Sequence, residues 1–247
     1  MQLNKNNLCA HRGYSSCYPE NTMVAFQAVH DLGLNHIECD LSLLGDGTVV
    51  IHHDGEFGRT VALRGRLLDY SWSDITGADA GSHKDGRYAH VGIPRLDELL
   101  DWASKNQMSL NLELKVHAQE GDELVSNTLS ILRNFPDCDI MFSSFHMDIM
   151  ERLSVSSTSY PCAPLFDHFD AACLPFINKI GAGAIHLNGH HLTKDSVGFI
   201  KNQNLILRCY TVNQASIAHD LLEWGCDAII SDLPSEILDI STVKPLV

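Results

Sequence analysis

The sequence predicts one closed (β/α)₈ barrel, and three observations carry that reading. Its 247 residues match the roughly 250 of a typical barrel of this kind. Eight short apolar runs alternate with segments of helical periodicity. No Pro-, Gly- or Ser-rich linker interrupts the alternation, so a single domain over 1–247 is expected. An open doubly wound sheet is the alternative, but the first strand lacks the G-x-G-x-x-G turn of its dinucleotide-binding form.

The first run, LCAH (8–11), is followed by Ala25, Ala28, Val29 and Leu32, spaced i, i+3, i+4, i+7 as on one helix face. Pro19, Asn21 and Thr22 are start signals for this helix over 22–32, and Gly33 stops it. The second run is HIECDL (36–41). TVVIHH (48–53) follows across GDG with no room for a helix, so it must return as an antiparallel hairpin. With the turn centred on Asp46, Asp40 faces His52 and His53 lies beside Cys39. Residues 55–92, rich in Gly, Ser, His and Asp, read as an irregular excursion over the barrel mouth. Leu96, Leu99, Leu100 and Ala103 mark the next helix, and SLNLEL (109–114) the third barrel strand. Val125, Thr128, Leu129 and Leu132 repeat the helical spacing, Thr128 being its weakest member. The remaining strands are DIMFSS (139–144), CAPLF (162–166), AIHLN (184–188), LILRCYT (205–211) and AIISD (228–232), with Gly225 as a helix stop before the last.

Composition narrows the function. Seventeen Lys and Arg against 31 Asp and Glu give a net charge of −14, which disfavours nucleic acid and anionic membrane surfaces as partners. MQLNKNNLCA lacks the apolar stretch of a secretory signal, and no run is long enough to span a bilayer. The eight cysteines are scattered without a C-x-x-C pair. A reduced, cytoplasmic protein is expected, with a small-molecule substrate.

Active sites of such barrels lie at the C-terminal ends of the strands. Three strands end there with unusual chemistry: His11-Arg12-Gly13, Glu38 with Asp40, and Glu113 with Lys115. Residues i and i+2 of a strand share a face, so each acidic pair points one way. Taken singly, each acid reads as well as a solvated strand end, and Glu113 with Lys115 as a simple ion pair. Taken together, three inward carboxylates repel unless a cation neutralises them, and all-oxygen ligation suits Mg²⁺ or Ca²⁺. His11 and His53 would flank that pocket as an acid–base pair, with Arg12 and Lys115 as fixed positive charge. This set suits a phosphate ester, whose cleavage depends mostly on positioning and charge stabilisation. His186 and Tyr210 lie near strand ends as candidate pocket lining; Glu20 reads either as a cap neighbour or as a support behind His11.

Several stretches carry a family resemblance: AHRGYSSCYPENTMVAFQAVHDLG, then IECDLSLLGDGTVVIHHD and RT, then LNLELK. With DAGS, IPRLDELL, SSFHMDIME, AIHLN and YTVN, they resemble bacterial cytoplasmic members of the glycerophosphodiester phosphodiesterase family over nearly the whole chain. The resemblance implies a TIM barrel with an insertion after the second strand's hairpin. It implies hydrolysis of glycerophosphodiesters to an alcohol and sn-glycerol 3-phosphate. It maps the metal carboxylates to Glu38, Asp40 and Glu113, the phosphate contacts to Arg12 and Lys115, and the paired histidines to His11 and His53 rather than His52. In that scheme His11 deprotonates the glycerol 2-hydroxyl, which attacks phosphorus; His53 protonates the departing alcohol, and water opens the cyclic phosphate. One divalent cation is implied, Ca²⁺ or Mg²⁺ with Mn²⁺ as a further option. The sequence does not fix the oligomeric state, for which a homodimer is one option. Tyr210 stands where many members carry Trp, which bears on the choice of alcohol. A lipid-cleaving relative of the same chemistry would need a membrane-docking surface that this acidic chain does not advertise.

Overall fold

The structure, a computed structural model, describes residues 3–156 and 160–238. The remainder of the expected 1–247 span lies outside the described residues. Along the chain come β1 (Leu8–His11), α1 (Met23–Asp31), β2 (His36–Leu43), β3 (Val49–Ile51), β4 (Glu56–Phe57), β5 (Gly65–Arg66), α2 (Trp72–Ile75) and α3 (Leu96–Asn106). Then follow β6 (Ser109–Leu114), α4 (Gly121–Leu132), β7 (Asp139–Ser144), α5 (Met147–Val155), β8 (Cys162–Phe166), α6 (Leu174–Lys179), β9 (Ala184–Asn188), α7 (Lys194–Lys201), β10 (Ile206–Tyr210), α8 (Ala215–Trp224), β11 (Ala228–Ser231) and α9 (Pro234–Ile237). The strands β1, β2, β6, β7, β8, β9, β10 and β11 pair in parallel in that order, and β11 returns to β1. The expected (β/α)₈ barrel is therefore closed, and every backbone edge of its eight strands is paired.

Local chemistry explains the elements. Thr22 caps α1 by accepting from the Ala25 N–H, and Gly33 turns the chain out at φ +70°. On α3 the buried residues are Leu96, Leu99, Leu100 and Ala103, the face read from periodicity. On α4, Thr128 is fully buried while Leu129 stays half-exposed, and Leu124 takes up the face instead. The register of β3 against β2 pairs Leu41 with Ile51, Ser42 with Val50 and Leu43 with Val49, and the His52 N–H donates to the Asp40 carbonyl. This is the expected hairpin.

The excursion differs from the expected irregular cap. It contains the short β4–β5 pair, α2 and two 3₁₀ turns. It also has a small core of its own, in which Phe57, Val61, Leu67, Ile75 and Ala80 pack with Leu44, Val50 and Ile93. Apolar residues scattered at low density carry no period, so this core was invisible to pattern reading.

The turn after β1 is the tightest feature near the mouth. Arg12 and Gly13 adopt left-handed conformations in succession, at φ +55° and +79°. A side chain at position 13 would place Cβ 2.8 Å from Ala25 Cβ and 2.9 Å from the Ala25 carbonyl carbon. Gly13→Ala should therefore destabilise the fold by about 2–4 kcal/mol, combining left-handed strain with overpacking. Urea unfolding measures this; a loss below ~0.5 kcal/mol would show that the turn relaxes freely.

Candidate active site

The barrel register gathers the acidic residues. His11 pairs with Glu38 across β1–β2, and Asp40 pairs with Glu113 across β2–β6. Glu38, Asp40 and Glu113 are each at least nine-tenths buried, and each offers an oxygen within 4.8 Å of the others. Their surroundings supply positive charge. Lys115 Nζ ion-pairs with Glu113 and stands 3.3 Å from Asp40 Oδ1; Arg12 Nε stands 3.1 Å from Asp40 Oδ2. Asn21, left-handed at φ +55°, donates from Nδ2 to Asp40 Oδ2 at 2.7 Å. The turn at Arg12 aims its backbone N–H at Glu38 Oε2, 3.0 Å away.

Burial and neighbouring charge shift these acids in opposite directions, Asp40 down and Glu38 and Glu113 up. Burial opposes ionisation of Asp40, but Lys115 and Arg12 overcome it and hold its carboxyl well below the usual range. Glu38 goes the other way: burial and the neighbouring Asp40 charge push it up to about 8. Glu113 is likewise raised by burial and Asp40. Glu38 Oε1 and Asp40 Oδ1 are buried without a hydrogen-bond partner; the Lys115 contact to Asp40 is an ion pair out of hydrogen-bond alignment. Two orphaned carboxylate oxygens from β2, with the Glu113 carboxylate of β6 within reach, fit a hard divalent cation.

An imidazole stands on either side. His11 Nδ1 hydrogen-bonds Asp232 Oδ1 at 2.6 Å, and its Nε2 lies 3.8 Å from Glu38 Oε2. Burial lowers the pKa of His11, but Glu38 and Asp232 outweigh it and the net shift is upward. His53 Nδ1 hydrogen-bonds Asp54 Oδ1 at 2.8 Å, and burial leaves its pKa lowered despite the attraction of Asp40. Each histidine thus has a carboxylate on Nδ1, which leaves Nε2 as the free nitrogen. Two hollows open beside them: one of about 470 Å³ includes His53, Asp54, Arg66 and His117, and one of about 380 Å³ includes His11, Arg12, Glu20, Asn213 and Asp232.

The other expected residues separate. Glu20 accepts from Arg12 Nη1 at 2.7 Å and from both terminal nitrogens of Arg59 at 2.8 Å. Burial raises it, but the two guanidiniums pull it down to about 2. It supports Arg12 rather than His11. The Tyr210 ring meets Phe145 edge-on at 5.8 Å, and Phe145 lies 5.7 Å from Lys115 Nζ, so Tyr210 borders the mouth. His186 does not. It is fully buried in the barrel interior beside its register partner Arg208 and lines neither hollow. Its strand carries it inward two residues below the mouth, where Asn188 takes the rim position. His52 turns to the opposite face and packs 5.3 Å from Phe57, held neutral by burial with a pKa of about 4.

Four supporting residues escaped the sequence reading. Asp232 follows β11 and is fixed by Ser15 Oγ at 2.9 Å and Asn213 Nδ2 at 2.7 Å. Asn21 was read only as a cap signal. Arg59 links Asp54, through Nε at 2.7 Å, to Glu20. His117 meets Ser42 Oγ at 3.1 Å beside His53. The signal for Asp232 was present, since AIISD ends a barrel strand with an acid at the catalytic pole. A second grouping, Asp167, His168 and His191, is wholly exposed at the rim beyond β8 and β9.

A barrel with a carboxylate cage and two carboxylate-backed imidazoles at its catalytic pole defines a hydrolase of phosphate esters. Comparison with known proteins agrees. The profile of the Glycerophosphoryl diester phosphodiesterase family matches residues 11–236. An uncharacterised Bacillus subtilis protein is 30% identical, covering 92% of this chain and 95% of its own. A glycerophosphodiester phosphodiesterase of Bacillus altitudinis is 28% identical over 94% and 96%. The structure of an Oleispira antarctica phosphodiesterase in complex with the product sn-glycerol-3-phosphate superposes with a TM-score of 0.91 at 27% identity, covering 96% and 97%. The chain belongs to the glycerophosphoryl diester phosphodiesterase family, and it is an enzyme of the phosphoric diester hydrolase class.

Asp232→Asn keeps the size of the side chain but removes the charge behind His11. Steady-state kinetics should show kcat down at least ~100-fold with KM within ~3-fold of wild type. An unchanged kcat would leave Asp232 a purely structural residue.

Proposed function

We propose that this protein is a divalent-cation-dependent phosphodiesterase that hydrolyses water-soluble glycerophosphodiesters to an alcohol and sn-glycerol 3-phosphate. The observation that carries the reading is the joint placement of Glu38, Asp40 and Glu113 with an imidazole on either flank. The product held by the Oleispira antarctica relative supports the substrate class. The donor set is all oxygen, so Ca²⁺ or Mg²⁺ is favoured, with Mn²⁺ as a third option. Such a cation supplies charge to the phosphate oxygens and lowers the pKa of a nearby hydroxyl.

The chain's own residues account for the rest. Arg12 and Lys115 hold the phosphodiester by charge, and their ion pairs with buried carboxylates keep both side chains extended toward the mouth. His11, oriented by its Nδ1 hydrogen bond to Asp232, accepts the proton of the glycerol 2-hydroxyl as that oxygen bonds to phosphorus. Asp232 stabilises the resulting imidazolium. His53 delivers a proton to the alcohol oxygen as its bond to phosphorus breaks. In the second half the proton movements reverse, and water opens the five-membered cyclic phosphate. The acidic balance of the chain and the absence, among the described residues, of any helix long and apolar enough to cross a membrane favour a soluble diester over a lipid. A cytoplasmic location is part of the same proposal.

Turnover of glycerophosphocholine should stop in EDTA and return on adding one of Ca²⁺, Mg²⁺ or Mn²⁺; full activity in chelator contradicts the cation. The roles of the histidines separate with a leaving group that needs no proton. His53→Ala should lose at least ~100-fold on glycerophosphocholine but less than ~5-fold on the p-nitrophenyl ester of glycerol 3-phosphate. Equal losses on both substrates would remove His53 from the acid role.

A further inference from the structure

The opposite pole of the barrel holds a second polar chamber that the hydrolytic site does not use. It has a volume of about 140 Å³ and lies where β2, β6 and β7 begin, lined by Cys9, His36, Ser109, Asn111, Asp139 and Arg208. Asn111 and Arg208 in its lining, and His186 behind Arg208, lack partners among the described residues. Asn111 is 3% exposed and its Oδ1 has no hydrogen bond. His186, fully buried beside Arg208, has no partner on either ring nitrogen. The Arg208 guanidinium, half-buried, has no ion pair or hydrogen bond among the described residues. The one acid lining the chamber, Asp139, is exposed at the rim and accepts from Ser109 Oγ.

Buried polar groups in folded proteins find partners, and a charge removed from water needs a counter-charge. Water could satisfy the hydrogen bonds, since the chamber has room for about four molecules at ~30 Å³ each. Water would not neutralise Arg208. Neither His186, which burial and Arg208 lower well below the usual imidazole value, nor Cys9, whose thiol burial pushes up to about 12, supplies a counter-charge. A half-turn of the Asn111 amide, which exchanges two nearly indistinguishable atoms, presents Nδ2 to the same space.

We propose that this chamber is an anion site, taking one compact tetrahedral oxyanion of the sulfate or inorganic phosphate kind on the Arg208 fork, with Asn111 and His36 as further donors. A guanidinium suits such an ion because its planar fork matches two oxygens at once. The site opens at the N-terminal ends of the strands, with His36 and Asn111 each two residues before Glu38 and Glu113, and its argument does not use the hydrolytic reading.

Sulfate is the probe, added to the full-length Mg²⁺-loaded protein and compared with sodium chloride at equal ionic strength. Thermal unfolding of wild type should rise by about 3–5 °C at roughly ten times the dissociation constant. The general salting effect of sulfate is common to all variants; the excess over it should vanish in Arg208→Met and persist in Lys115→Met, which excludes binding at the catalytic pole. Glycerophosphocholine turnover by Arg208→Met should match wild type. If Arg208→Met does not fold, Asn111→Asp supplies an internal counter-charge and should abolish the shift instead. An equal shift in wild type and the chamber variants, or none in wild type, overturns the proposal.

Discussion

Three carboxylates on adjacent strands cannot share a water-poor space unless positive charge holds them. Unit charges 4 Å apart repel by about 4 kcal/mol even at an effective dielectric near 20, and Glu38, Asp40 and Glu113 are all buried. Arg12 and Lys115 answer part of that repulsion, enough to keep Asp40 ionised. They do not answer all of it, because Glu38 and Glu113 remain shifted upward by burial and by Asp40. The divalent cation of the proposed function would complete the neutralisation. The left-handed turn at Arg12, the Asn21 amide and the Lys115 extension all serve this one electrostatic requirement.

The same requirement ties the excursion to the barrel. Arg59, carried by the segment after β4, bonds Asp54 with Nε and Glu20 with both terminal nitrogens. Asp54 stands behind His53, and Glu20 stands behind Arg12. One guanidinium thus couples the histidine on one flank to Arg12 on the other. On the His11 side, Ser15, Asn213 and Asp232 form the matching support, joining the first and last strands where the barrel closes. The excursion can therefore act as a brace for the site as well as a cover, with its own small core supplying the rigidity.

Local and periodic features were legible in the sequence. The hairpin register followed from a three-residue connection, and the inward carboxylates followed from strand parity together with the polarity of the barrel. What escaped were partners set by long-range closure. Asp232 lies 221 positions from His11, and Arg59 lies 39 from Glu20; no period in a single chain encodes such pairs. His186 misled for a different reason. Nearness to a strand end in sequence does not give depth, and two residues along a strand, about 6.6 Å, separate the interior position of His186 from the rim position of Asn188.

Anomalous diffraction from crystals of the Mn²⁺-loaded protein addresses the charge requirement most directly. The account predicts one strong peak with an oxygen of each of Glu38, Asp40 and Glu113 within ~2.6 Å. Absence of a peak there, with Lys115 alone spanning Glu113 and Asp40, would contradict it.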